Sequence, residues 1–145
     1  MSRRKGRILA VQALYSYDNG GGSLEEVLKL EWENLPEDDK NVATVDFARA
    51  LIAGTINHKD EVDEMIKKHL TGNWDFSRIN KVSLAILRIS TFTLMFQKDV
   101  HPSIVIDEAI DIAQDYGTDD SFRFINAVLD NIRKELNAET NEGEE

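Results

Sequence analysis

The chain has no cysteine in its 145 residues. That excludes disulfides, a thiol nucleophile and thiolate metal sites. No apolar run is long enough to span a membrane: the longest candidate, Val82 to Phe96, falls short of about 20 residues and carries Arg88 in its middle. The basic N-terminus is not followed by the apolar run of a secretory signal. A cytoplasmic protein with no membrane partner is the expectation. Histidine is scarce. His58, His69 and His101 form no His-x-x-x-His pair and no Glu-x-x-His, so a helix-borne metal site lacks its usual spacing. Gly20-Gly-Gly22 has neither the lysine nor the preceding strand of a phosphate loop. Asp107, Glu108 and Asp111 cluster on one helical stretch and could in principle serve acid–base hydrolysis, but charge on an outer helix face is usually solvation. With no nucleophile–base or ligand constellation, no catalytic residue, cofactor or metal is expected.

What is present is a domain-sized chain, 41% hydrophobic and 30% charged, enough for one buried core. Its charge is uneven. Arg3, Arg4, Lys5 and Arg7 precede the first acid, Asp18, and all 27 acids follow, for a formal net charge of −10. A basic end on an acidic body suits a polyanion at the terminus and a basic partner elsewhere. A short basic terminus also arises without any function.

The hydrophobic pattern is helical throughout. Val82, Ala85, Ile86, Ile89, Thr93 and Phe96 share one face, and Leu84, Leu87, Thr91 and Leu94 form a second stripe. A helix apolar on two sides has neighbours on both, so residues 82–96 form the central helix. Before it, Ile8 to Tyr15 is apolar nearly all round, and Asp18 to Gly22 reads as a turn. Ser23 to Glu26 fits a capping box opening a helix to about Asn34, ended by Pro36. A helix over roughly 38–56 follows, in which Gly54 implies close packing. Residues 58–70 carry the stripe Val62, Met65, Ile66, His69 and Leu70, ended by Gly72, and Trp74 and Phe76 precede the central helix. Pro102 opens a helix with Ile106, Ala109, Ile110, Ala113 and Tyr116 on its stripe, closed by Gly117. Thr118 reads as the cap of the last helix, with Asp119 and Asp120 in its first turn and Ile125, Val128, Leu129, Ile132 and Leu136 as its core face. Residues 1–137 thus read as one all-α domain, and 138–145 as an acidic, disordered tail. Arg4 and Tyr15, nearly three whole turns apart, fall on one side of the first helix. A guanidinium row ending at a tyrosine can hold phosphates and stack a base. Tyr15 is otherwise a plain core aromatic.

Three stretches resemble the NusB transcription antitermination family. They are Arg3-Arg-Lys-Gly-Arg7 running into Val11-Gln-Ala-Leu-Tyr15; Ala85-Ile-Leu-Arg88 with Ile89 to Phe96; and Ile106-Asp-Glu-Ala-Ile110, then Tyr116-Gly117 and Ser121-Phe-Arg-Phe-Ile-Asn126 with Val128-Leu-Asp130. Order and spacing agree over residues 3–133. The resemblance implies about seven helices in two small bundles. It implies binding of single-stranded boxA RNA from ribosomal RNA operon leaders, as a heterodimer with the ribosomal protein NusE, in an elongation complex with NusA, NusG and RNA polymerase. It places RNA contacts on Arg3, Arg4, Lys5, Arg7 and Tyr15, and on Arg123, Phe124 and Asn126, with partner contacts near Ser83 and Asp120. Ser83 stands where many relatives have an acid, and Ala127 where they have glycine. A protein-only helical adaptor for a basic ribosomal protein, or a ribosomal RNA maturation factor, are the alternatives. Four phosphates neutralised on single-stranded RNA would give a log–log salt slope of about −2.8.

Overall fold

The structure, a computed structural model, describes residues 3–20, 42–70, 75–117 and 120–144. Six α-helices occupy those residues: α1 (Arg3–Gly20), α2 (Val42–Asn57), α3 (Lys59–Lys68), α4 (Lys81–Phe96), α5 (Pro102–Tyr116) and α6 (Ser121–Glu144), with a 3-10 turn at Phe76–Arg78. Among the described residues there is no strand and no helix long and apolar enough to cross a membrane. The helix expected over residues 24–34, the aromatic Trp74 and the expected cap Thr118 with Asp119 lie outside the described residues.

The two apolar stripes of residues 82–96 do what two stripes require. Every side chain from Ser83 to Leu94 is buried, and α4 packs against all five other helices. α1 pairs with α2 and α5 with α6, so two small bundles share α4 as their common member. Ile86, Leu87 and Ile89 are almost wholly excluded from water, and each such side chain contributes about 1.5–3 kcal/mol. α4 starts where it does because the Asn80 side-chain oxygen accepts hydrogen bonds from the Val82 and Ser83 N–H groups at 3.0 and 3.3 Å. α5 starts at Pro102, whose missing N–H is no loss in a first turn, and His101 Nδ1 accepts from the Ser103 N–H at 3.2 Å.

Gly54 allows the α2–α4 crossing: a Cβ there would overlap the Phe92 ring. Gly6 does the same between α1 and α2, where a Cβ would stand 2.5 Å from Phe47 Cδ1.

Three expectations need correction. α1 does not turn at Asp18 but continues to Gly20. The Asp18 carboxylate is held by Arg88, and the Asn19 amide donates to the Tyr15 carbonyl at 2.8 Å, covering an open helix end. Asp120 precedes α6 rather than joining its first turn, with a left-handed φ of 66° that aspartate tolerates better than most residues. The backbone of residues 138–144, read as a disordered tail, continues α6. Glutamate, three of those seven residues, is a good helix former.

Candidate nucleic-acid interface

The basic opening of α1 divides in two. Arg3, Arg4 and Lys5 are exposed, whereas Arg7 is only 2% exposed. The guanidinium of Arg7 lies against the α5 carboxylate of Glu108. It donates from Nη1 to Thr93 Oγ1 of α4 at 3.2 Å and sits 5.8 Å from the centre of the Phe47 ring. Burial pulls its pKa below the ordinary arginine value, and Glu108 opposes that pull. Arg7 was grouped by sequence with the RNA-facing cations; its side chain is turned inward as a clamp between α1, α4 and α5. A signal was available. Arg7 lies three, four and seven residues before Ala10, Val11 and Leu14, all buried, so it shares their inward face.

Arg4 stays at the surface, half exposed, but it is engaged. Nη1 lies 3.6 Å from Asp111 and Nη2 3.1 Å from Asp115, both on α5. Two of the three carboxylates considered for hydrolysis are therefore ion-pair partners: Glu108 of Arg7 and Asp111 of Arg4. Among the described residues no group of three or more His, Asp or Glu could hold a metal ion.

Beyond Arg4 on the same side of α1 lies Tyr15, 42% exposed. It lines a groove of about 190 Å³ with Ile8, Val11, Gln12, Val82, Ile112 and Tyr116. Tyr116 was read as part of an apolar core stripe, yet it is 51% exposed. It is the last residue of α5 and overhangs the groove opposite α1, where a stripe on a helical wheel gives no warning of the helix end. The groove has aromatic walls, an apolar floor and the Gln12 amide. A planar, partly polar ring suits it. Arg4 ties the neighbouring turn of α1 to Asp115, the residue before Tyr116.

The NusB family model matches residues 4–134. The chain belongs to the NusB family. It is 48% identical over 134 residues to the transcription antitermination protein NusB of Treponema denticola, covering 92% of this chain and 96% of that one. Among solved structures, NusB of T. maritima superposes with a TM-score of 0.81 at 32% identity, covering 93% of this chain and 92% of that one. A crystal structure of the antitermination factors NusB and NusE with double-stranded RNA gives a TM-score of 0.82 at 28% identity, covering 92% and 96%.

Against that family background, the second expected stretch lies on α6. Arg123 is strongly exposed, 4.0 Å from Asp120 and over the Phe122 ring. Asn126 and Ala127 are exposed, and Phe124 is half buried against the core. α6 begins at Ser121, five residues after Tyr116 in the chain. Ser83 is different. It is 2% exposed on the inner side of α4, so its side chain offers no surface to a partner.

From sequence, Arg88 stands as an obstacle to a membrane span and as part of the Ala85-Ile-Leu-Arg88 stretch, with no partner assigned. In the structure it is a buried cation with two acids. Its Nε and Nη2 donate to the two oxygens of Asp63 on α3 at 2.8 and 3.0 Å, and Nη1 donates to Asp18 of α1 at 2.6 Å. Burial lowers its pKa, but the hydrogen bonds and charge of Asp63, with Asp18, outweigh that and the net shift is upward. A charge in the middle of a two-sided apolar helix has to be paired, and that was the clue. Its partners lie 25 and 70 residues away in sequence, beyond the reach of local periodicity.

Proposed function

We propose that this chain is a cytoplasmic RNA-binding antitermination factor that binds boxA RNA together with a NusE-type ribosomal protein. The pair then joins NusA, NusG and RNA polymerase in the elongation complex. The observation that carries this reading is the exposed basic turn Arg3-Arg4-Lys5 beside the Tyr15–Tyr116 groove, on a chain of the NusB family. Arg3, Arg4 and Lys5 take phosphates, Tyr15 stacks a base, and the exposed Arg123 and Asn126 extend the path onto α6, with Phe124 supporting them from below. Asp120, exposed and negative, suits the cationic partner. Ser83 acts on the partner surface only through the packing of α4. The neighbour that holds NusE and RNA supports the same pairing, its RNA being double-stranded.

With Arg7 withdrawn, three cations of the α1 turn remain for phosphate, and the salt slope expected from that turn falls to about −2.1. That is a weak grip for a chain of net charge −10, so a basic partner supplies the rest. The inward Arg7 and the ion-paired Arg4 also suit a protein-only adaptor, which is the second reading. Fluorescence anisotropy with labelled boxA RNA separates the two, run with and without the ribosomal protein at two salt concentrations. RNA binding that strengthens when the protein partner is added supports the proposal. A partner that binds tightly with no RNA affinity in the pair overturns it.

A further inference from the structure

The contacts of Arg4 assign a role to two α5 carboxylates that the RNA reading leaves unused. Asp111 and Asp115 engage the Arg4 guanidinium, the group through which Arg4 would hold a phosphate. They lie 3.6 and 3.1 Å from its two terminal nitrogens, and each keeps about half its surface in water, at 48% and 55%. They are attached to a helix clamped to α1 one turn further on by Arg7 and Glu108, which keeps them within reach of Arg4. A phosphate must displace them or share the guanidinium with them.

We propose that Asp111 and Asp115 are internal competitors for Arg4 that set the RNA affinity of the free protein low. This rests on the reading of the α1 turn as an RNA contact. The carboxylates hold the guanidinium until a phosphate of higher charge density, or one presented by a cationic partner, replaces them. Because phosphate contacts carry no sequence information, the effect is to suppress binding to arbitrary RNA by the unpartnered protein. The groove is untouched, so base stacking at Tyr15 and Tyr116 stays available once the backbone is held.

The test is D111N/D115N in the full chain, with labelled boxA RNA as probe at low salt. An exposed ion pair is worth up to about 1 kcal/mol, so removing both competitors tightens RNA binding roughly three- to tenfold. The gain shrinks as salt is raised, since exposed charges are screened. E61Q/E64Q on α3 removes the same two charges from exposed positions away from Arg4 and is expected to give a smaller gain. Adding Arg4→Ala to D111N/D115N is expected to abolish the gain. Thermal melts confirm that each variant is folded. An unchanged or weaker affinity overturns the proposal. So does a gain equal to that of E61Q/E64Q, or one that survives Arg4→Ala, since either would reduce the effect to net charge. Wild-type protein that binds no RNA with or without partner defeats the RNA reading and takes this proposal with it, an outcome visible before any variant is made.

Discussion

Substituting Arg7 by methionine separates a structural arginine from the exposed cations proposed to hold RNA. The substitution keeps an unbranched apolar stem of similar reach and removes the charge. Glu108 then loses its partner while retaining 18% of its side-chain exposure. Breaking a buried ion pair from one side costs about 3–5 kcal/mol, and the residual solvent contact of Glu108 points to the lower end. The Thr93 hydroxyl loses a donor but still donates to the Ile89 carbonyl at 3.0 Å, so it adds little. A loss of about 3 kcal/mol in a chain of this size lowers Tm by roughly 6–12 °C. RNA affinity measured well below the transition is expected to change less than about twofold, because a guanidinium buried in this way reaches no phosphate. The salt slope stays near −2.1, whereas Arg3→Ala with Arg4→Ala takes it towards about −0.7 and leaves Tm nearly unmoved. Adding Glu108→Gln to Arg7→Met restores part of the lost stability by removing the stranded charge. Calorimetry and anisotropy titrations on the same preparations provide both readouts. An Arg7→Met protein with wild-type Tm and a salt slope reduced by about 0.7 would refute the assignment of Arg7 as a clamp.

Three further outcomes follow from the packing. Asp63→Ala strips Arg88 of two of its three hydrogen bonds to acids and is expected to cost about 3 kcal/mol in urea unfolding, against roughly half that for Asp18→Ala, which removes one. The reverse order would contradict the geometry. Gly54→Ala gains about 1 kcal/mol of helix propensity, yet it drives a methyl into the Phe92 ring; overpacking of about 1–3 kcal/mol is expected to make the net effect destabilising, read from the urea midpoint. The Lys68 hydrogen bond holds the Glu135 carboxyl below its ordinary 4.5, against a smaller upward push from burial. A depressed folded pKa contributes stability above the unfolded value that is lost as pH falls through the folded one. Urea midpoints for wild type are therefore expected to fall below about pH 4.5, and Glu135→Gln to flatten that part of the profile.

The sequence carried the architecture because its strongest signal was also its most local one. Two stripes on residues 82–96 dictate a helix with neighbours on both sides, and Gly54 within an apolar pattern announces a close crossing. Helix ends were less legible. The chain continues past Asp18 because a guanidinium 70 residues away in sequence takes its carboxylate, and α6 begins after Asp120 on a left-handed backbone angle that no propensity scale encodes. The site was legible as composition and not as geometry. Counting cations gives Arg3, Arg4, Lys5 and Arg7 equal standing. Only the periodicity through Ala10, Val11 and Leu14 distinguishes Arg7, and only the fold shows that α5 brings Glu108, Asp111 and Asp115 to meet α1. Tyr116 escaped for a related reason: whether the end of a helix is covered depends on what packs beyond it.

The ion pairs that look merely structural bear on binding through α1. Arg7 fastens its first turns to Glu108 of α5, and Asp18 fastens its last turn to Arg88 of α4. Between them the helix has little freedom, so Arg3, Arg4 and Lys5 project from a rigid turn instead of a loose basic tail. A loose tail gives up backbone and side-chain entropy when RNA orders it, at about 0.5–1.5 kcal/mol for each immobilised long side chain. Fastening α1 in advance removes the backbone share of that cost. It also fixes the distance from the cations to Tyr15 and the groove, so that three exposed cations and an aromatic groove lie along one helix. A protein with few cations and net charge −10 has no excess attraction to compensate for a poorly placed one. On the proposed RNA reading, position therefore matters more than the number of arginines, and the buried Arg7 contributes by fastening α1 to α5.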